Sequence, residues 1–257
     1  MGYEFDLSVV IPCLNEEETV ETCIKKCLDS FEKLGINGEV VVSDNGSEDG
    51  TTRLSKNLGA RVEVCQEKGY GRAIRYGFSK AKGKYVIMGD GDNSYDFSLI
   101  PDFYNAITEH DCDMVIGTRL KGKIHKGAMP FLHRYLGNPV LTFILNLFFG
   151  TRISDSQCGM RMFKKSSLDR LNLVTTGMEF ASELLVKAAW ADFKIVEIPI
   201  EFFKDGRSRK PYLRTWRDGW RHLTFLVTSK CNEFGLRIPY EDKVIKPDHQ
   251  SHEQAFN

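Results

Sequence analysis

No two of the seven cysteines stand in a C-x-x-C pair, and an odd, scattered set (Cys13, Cys23, Cys27, Cys65, Cys112, Cys158, Cys231) cannot pair completely. Cys13, Cys65 and Cys112 lie in or beside strand-like runs, and Cys23 and Cys27 share one helical face. They read as reduced, buried thiols, which excludes a disulfide framework and a zinc site. No apolar run reaches the roughly eighteen residues of a membrane span. The opening MGYEFDLSVVIP lacks the charged-then-apolar build of a signal peptide. The expected location is cytoplasmic, with at most a peripheral place on the cytoplasmic membrane face. An excess of one charge is missing too, since 35 basic residues balance 35 acidic ones. Nucleic acid is therefore not an expected partner. Phosphate-binding glycine motifs are absent: Gly69-Tyr70-Gly71 has Ile74 where a third glycine belongs, and there is no G-x-x-x-x-G-K-[ST]. That disfavours a dehydrogenase-type nucleotide site and excludes a P-loop. An EF-hand is excluded because Tyr95 and Pro101 stand where it needs Gly and Glu.

What the chain has is alternation. Residues 7–12 (LSVVIP) form a near-continuous apolar run, the pattern of a strand buried on both sheet faces. Asn15 is placed to cap a helix whose first turn is Glu16, Glu17 and Glu18, acids suited to the positive helix end. Its stripe is Val20, Ile24, Cys27, Leu28, Phe31 and Leu34, and Gly35 stops it. Residues 39–43 (EVVVS) make the next strand, and 44–50 (DNGSEDG) a turn opening a second helix. A strand at 61–65, a helical segment at about 69–82 and a strand at 85–88 complete the series. This spacing predicts an α/β fold with a Rossmann-like, doubly wound, mostly parallel sheet.

The strand at 85–88 ends in Gly89-Asp90-Gly91-Asp92, which delivers two carboxylates to one rim of the sheet. Two aspartates this close repel each other. A hard divalent cation, Mg²⁺ or Mn²⁺, would relieve that repulsion while substrate phosphates complete its shell. Taken alone, such a motif is more often an ordinary polar turn after a strand. Ligands of doubly wound sheets bind beyond the carboxyl ends of the strands. Those ends carry Pro12, Asn15 and Glu16, then Asp44, then Lys68 and Gly69, then Asp90 and Asp92. Acids at three rims and a Lys/Gly loop at the fourth point to a nucleoside diphosphate with a metal.

Downstream, 112–117 (CDMVIG) reads as a strand ending at Thr118-Arg119, ahead of a basic loop at 120–127. Residues 139–149 are apolar nearly all round and must be covered by core, by another subunit or by lipid. Residues 155–161 (DSQCGMR) form a polar turn before a short strand. A helix at 178–190 places Glu179 and Glu183 one turn apart on one face, and 193–203 is a long strand. The basic stretch 204–221 is interleaved with Tyr212, Trp216 and Trp220, and the tail is polar.

Seven motifs follow in order over roughly residues 7–226: VVIPCLNEEETV, VSDNGSEDGT, KGYGRAIRYGF, MGDGDNSYDF, DSQCGMRMF, TGMEFASELLVKA and KDGRSRKPYLRTWRDGWRHL. Together they resemble the inverting family 2 glycosyltransferases of GT-A fold, and more narrowly the branch of dolichyl- and undecaprenyl-phosphate sugar transferases. The resemblance implies one GT-A domain over 1–235, with a nucleotide-sugar half (1–118), an acceptor-side α/β extension (119–235) and a polar tail at 236–257. It implies transfer of a hexose-type sugar from a UDP- or GDP-sugar, with Mg²⁺ or Mn²⁺, to a polyprenyl phosphate at the membrane surface. By position, Pro12, Asn15, Glu16 and Asp44 are expected round the base and ribose, and Lys68, Gly69 and Gly91 by the nucleotide. Asp90 falls nearer the ribose and Asp92 serves as direct metal ligand. On the residues alone, a helix cap for Asn15 and Glu16 and a turn for Asp44 stay open. Asp155, Gln157 and Arg161 would line the sugar and acceptor pocket. A hydroxyl acceptor needs a carboxylate base, for which Glu179, Glu183 and Asp155 are candidates. A phosphate acceptor needs cations instead, and Arg119, Arg134, Arg207 and Arg209 are the candidates. Arg214, Arg217 and Arg221 read as solvated. The alternatives are a soluble or glycan hydroxyl acceptor and a non-catalytic nucleotide-sugar-binding module. A homo-oligomer is compatible with the apolar 139–149 segment.

Overall fold

The computed structural model describes residues 2–209 and 214–234; Tyr212 and the expected polar tail lie outside the described residues. In chain order the elements are β1 (Phe5–Cys13), α1 (Val20–Leu34), β2 (Gly38–Asp44), α2 (Thr51–Asn57), β3 (Arg61–Val64), α3 (Tyr70–Lys80) and β4 (Gly83–Met88). They continue with α4 (Ile100–Glu109), β5 (Met114–Ile124), α5 (Asn138–Phe149), β6 (Arg161–Lys164), α6 (Lys165–Leu168), α7 (Phe180–Trp190), β7 (Ile195–Phe202) and α8 (Thr215–Glu233). Leu7, Val9, Val10 and Ile11 of β1 are fully buried, as an unbroken apolar strand requires.

One mixed sheet of seven strands runs β3-β2-β1-β4-β6-β5-β7. Strands β1 to β4 pair in parallel, which brings their carboxyl ends to one rim. β6 inserts antiparallel between β4 and β5, and β7 closes the far edge parallel to β5. The expected boundary at 118 falls inside β5, and the sheet is continuous across it. α1 ends at Gly35 in the left-handed region, φ 63°.

Two local expectations are corrected. α1 starts at Val20, so Asn15 does not cap it. Asn15 instead adopts φ 56°, and its Oδ1 accepts from Glu48 N at 2.8 Å. Glu17 Oε2 accepts from Gly50 N at 2.8 Å. These groups tie the 14–19 loop to the loop after β2, a tertiary demand that overrides the local helix signal. Second, the basic loop at 120–127 is mostly strand: β5 runs to Ile124, with a register shift between Thr118 and Lys123. Its lysines face glutamates of β7, Lys121 Nζ lying 2.8 Å from Glu197 Oε2. Gly122 permits the close approach, since a Cβ there would stand 1.9 Å from the Ile200 carbonyl oxygen. The chain itself covers α5 on one side only, which leaves another subunit or lipid for the rest of this apolar segment. Thr142 and Leu145 are buried, whereas Phe143 and Leu147 are 65% and 64% exposed.

Candidate active site

The carboxyl ends of β1, β2 and β4 open into a cavity of about 1110 Å³, closed on the far side by the segment before α5 and by α5, α7 and α8. That is ample for a nucleotide sugar, since ligand pockets run to roughly 1,000 Å³. Asp90 and Asp92 lie on its floor. Tyr70 Oη donates to Asp90 Oδ1 at 2.8 Å. Burial, then the charge of Asp92, pushes the Asp90 carboxyl well above the usual range, against that hydrogen bond. Asp92 Oδ1 accepts from Ser94 N at 3.0 Å and from Ser94 Oγ at 2.6 Å.

The other oxygen of Asp92 meets Arg207 Nη2 at 2.9 Å. The same guanidinium reaches Glu16 Oε1 at 3.1 Å and Asp205 Oδ2 at 3.2 Å. Arg209 Nη2 adds a 2.8 Å contact to Glu16 Oε1. The segment carrying both arginines is pinned where Gly206 N donates to Asp92 O at 2.9 Å. Glu16 Oε2 is buried with no partner among the described residues. Burial pushes the Glu16 carboxyl up to about 7, although Arg207 and Arg209 pull it down. Arg207 and Arg209, expected on the acceptor side, thus sit on the acids at the β1 and β4 ends.

Among the described residues no three His, Cys, Asp or Glu side chains form a cage for a metal ion. A hard cation still fits, because Mg²⁺ and Mn²⁺ need only one or two carboxylates when phosphates supply the rest. Asp90 and Asp92 would be those carboxylates, and Arg207 supplies the positive charge beside Asp92. Arg207→Ala is therefore expected to tighten Mn²⁺ binding without nucleotide on the order of tenfold, the worth of one charge-assisted hydrogen bond. Electron paramagnetic titration of free Mn²⁺ measures it, and unchanged affinity would show that the arginine does not compete there.

The opposite wall is built round Arg119 and Asp155, an ion pair with side chains 7% and 0% exposed. Arg119 donates to Asp155 through its backbone N (3.0 Å), Nε (2.7 Å) and Nη2 (2.8 Å), and its guanidinium lies 5.1 Å from the Phe202 ring centre. Burial opposes ionisation of Asp155, but the guanidinium and these hydrogen bonds hold its carboxyl below the usual range. Arg161 is wholly buried and donates to the carbonyls of Cys158, Ala181 and Ser156.

The cavity brings together Pro12, Glu16, Lys68, Gly69, Asp90, Gly91, Asp92, Arg119, Gln157, Arg161 and Arg207 from the expected set. Others are elsewhere. Asp44 is buried under its own turn, accepting from Ser47 N at 3.1 Å. Its neighbour Asn45 lines the cavity instead, with Oδ1 accepting from Gly69 N at 2.8 Å. Asn15 serves the loop contact described above. Arg134 lies in the π-helical turn His133–Gly137, over the Tyr135 ring at 5.3 Å, and does not line the cavity.

None of the three carboxylates considered as a base lines the cavity. Glu179 takes two hydrogen bonds from Arg221 at 2.7 Å, which corrects the reading of Arg221 as solvated. Glu183 anchors the segment before α7, accepting from Val174 N, Thr175 N and Thr175 Oγ1 at 2.8, 2.8 and 2.6 Å. Arg217 also has a partner, Asp218, at 3.2 Å. Sequence reasoning missed Asn45, Tyr70, Asp205 and His222. The last left one trace: Asp218 and His222 recur at helical spacing in an otherwise basic and aromatic stretch.

The chain is similar to the low-salt glycan biosynthesis hexosyltransferase Agl6 of Haloferax volcanii, 42% identical over 223 residues, 87% of this chain. It spans about half the length of that relative, 53%. A dolichyl-phosphate hexose transferase of the same organism is 30% identical over 203 residues, covering 78% of this chain and 84% of that protein. The fold is similar to glucosyl-3-phosphoglycerate synthase of Mycobacterium tuberculosis, at TM-score 0.66 and 19% identity, over 93% of this chain and 83% of the other. That enzyme's complex with Mn²⁺, uridine diphosphate and glucosyl-3-phosphoglycerate aligns at TM-score 0.62 and 20% identity, over 93% and 82% of the two chains. The profile of Glycosyl transferase family 2 matches residues 8–171; with the GT-A sheet and the paired aspartates at its rim, the chain belongs to that family.

Proposed function

We propose that this glycosyltransferase moves a hexose-type sugar from a UDP- or GDP-sugar to a polyprenyl phosphate, inverting at the anomeric carbon. The observation that carries the acceptor is the commitment of Asp155, Glu179 and Glu183 to buried partners. A hydroxyl acceptor needs a free base on the acceptor side of the cavity, whereas a phosphate is already ionised; Glu16, Asp92 and Asp205, which do line the cavity, are held by Arg207. Arg161, bonded to backbone carbonyls and not to a carboxylate, gives the wall a positive charge that suits such an anion, beside the balanced Arg119–Asp155 pair. Lys68 and Arg207 stand on the nucleotide side, where negative charge grows on the departing diphosphate. Mg²⁺ or Mn²⁺ held by Asp90 and Asp92 would supply further neutralisation there. The Mn²⁺ complex of the structural neighbour and the name of the dolichyl-phosphate relative support this reading. Incubation with a panel of nucleotide sugars and lipid phosphates, with products identified by mass, tests it. Glycosylated soluble hydroxyls with no lipid product would overturn the acceptor.

No described helix is long and apolar enough to cross a membrane. Exposed apolar side chains instead stand on the elements that close the cavity, before α5, on α5 and on α8: Phe131, Phe143, Leu147 and Trp216 are 64–81% exposed. Burying four such side chains in lipid gives about 6–12 kcal/mol before ordering costs. That suffices for reversible surface attachment. The protein is expected to float with anionic liposomes, and Phe143→Ser with Leu147→Ser to weaken flotation without unfolding. Wild type remaining in the soluble fraction at low salt would overturn attachment and favour a soluble acceptor.

A further inference from the structure

Beside Gln157, one corner of the cavity wall carries two hydrogen-bonding groups with no role so far, Ser182 and His222. Ser182 on α7 is fully buried, and its hydroxyl lies 2.8 Å from Nδ1 of His222 on α8. Gln157 Nε2 donates to Ser156 Oγ at 3.1 Å and reaches Ser182 Oγ at 3.5 Å. A serine hydroxyl has a single proton to give. With Ser182 Oγ facing the Gln157 N–H, its own proton is available to His222 Nδ1, an arrangement that leaves the imidazole proton on Nε2. Burial, with Arg161 and Arg221 nearby, lowers the His222 pKa to about 3, so the ring is neutral at physiological pH.

Gln157 and His222 both line the cavity. Gln157 has its N–H side engaged and presents Oε1, an acceptor. His222 has Nδ1 engaged and presents Nε2–H, a donor. The place matters as much as the pairing. At Gly159, two residues beyond Gln157, a Cβ would lie 3.1 Å from Asp90 Oδ2. The segment bearing Gln157 therefore packs directly against the acid at the diphosphate end of the site.

The resemblance already implies Gln157 in the sugar pocket; we propose that His222 completes with it a hydroxyl-recognition subsite for the donor sugar, with Ser182 as the positioning residue that aligns both. One sugar hydroxyl donates to Gln157 Oε1 and a neighbouring one accepts from His222 Nε2–H. This rests on the nucleotide-sugar reading above. A pair of adjacent hydroxyls suits one acceptor beside one donor, whereas a phosphate would set its oxygens against the Gln157 oxygen. Sites built to bond a hydroxyl reject analogues lacking it far more strongly than apolar pockets do. The Gln157–Ser182–His222 corner thus selects the sugar, while Asp90 and Asp92 are indifferent to it.

Calorimetric binding to the full chain with Mn²⁺, using UDP, GDP, UDP-glucose, UDP-galactose and GDP-mannose, tests the subsite. Wild type should bind one hexose nucleotide more tightly than its bare diphosphate and its epimer. Ser182→Ala should cut that preference about tenfold, one hydrogen bond's worth, while bare diphosphate binding stays as in wild type. Ser182→Thr, which keeps the hydroxyl, should retain the preference. Gln157→Leu, a change at the cavity surface, gives an independent reading should Ser182→Ala unfold. If Gln157→Leu or a folded Ser182→Ala keeps full sugar preference, the subsite is wrong and the donor site stands. If no nucleotide or nucleotide sugar binds wild type, the donor reading fails and the subsite falls with it.

Discussion

Asp92→Ala is expected to lower sugar transfer on the order of a thousandfold, the scale seen when one preorganised electrostatic contact to a reacting group is removed. The fold should persist. Asp92 touches Ser94 within its own turn, and Arg207 keeps Glu16 and Asp205 as partners. The loss should therefore appear in turnover and in Mn²⁺-dependent binding of the nucleotide, with the melting temperature little changed. Asp92→Asn separates charge from shape, because the amide can still accept from Ser94 but offers a cation no full negative charge. Near-wild-type turnover of Asp92→Ala in excess Mn²⁺ would remove Asp92 from the metal site and leave Asp90 and Glu16 as the acids to test.

The first half of the sheet was legible because its strands are buried on both faces. Residues 7–12 could not be an amphipathic element of any period, and Gly35 marked where α1 stops. The aspartates after β4 were legible for a related reason, since a polar turn after a buried strand has only the rim to occupy. What stayed hidden depends on contacts distant in sequence. β6 is four residues long and lies antiparallel between strands that precede it, which no local period encodes. The Glu16–Glu18 run looks like a helix start, but Glu16 is drawn to arginines 191 and 193 residues away. Asp44 and Asn45 show the same limit on a smaller scale. Both are turn formers, and only the exit direction of β2 decides which one faces the cavity. Arg221 read as solvated because its partner, Glu179, lies 42 residues back on another element.

Asp155→Ala is expected to cost the most stability of any change at the site. It leaves the Arg119 guanidinium buried and stripped of two hydrogen bonds, and the Arg119 backbone N–H stripped of a third. Breaking a buried ion pair from one side costs about 3–5 kcal/mol, mostly because an uncompensated charge stays inside. In a chain of this size that corresponds to a fall in melting temperature on the order of 10 °C. Arg119→Ala should cost a similar amount, since Asp155 would then be the orphan, its carboxyl no longer held below the usual range. Replacing both at once, as Arg119→Met with Asp155→Leu, removes the orphan charge and should recover much of the stability. Activity should not return with it, because Arg119 lines the cavity, where the proposed anionic acceptor would meet its guanidinium. Comparison of melting temperature and turnover across the three variants separates the two roles. If the double variant regains both stability and transfer to lipid phosphate, Arg119 is structural only, and Arg161 becomes the cation that meets the acceptor.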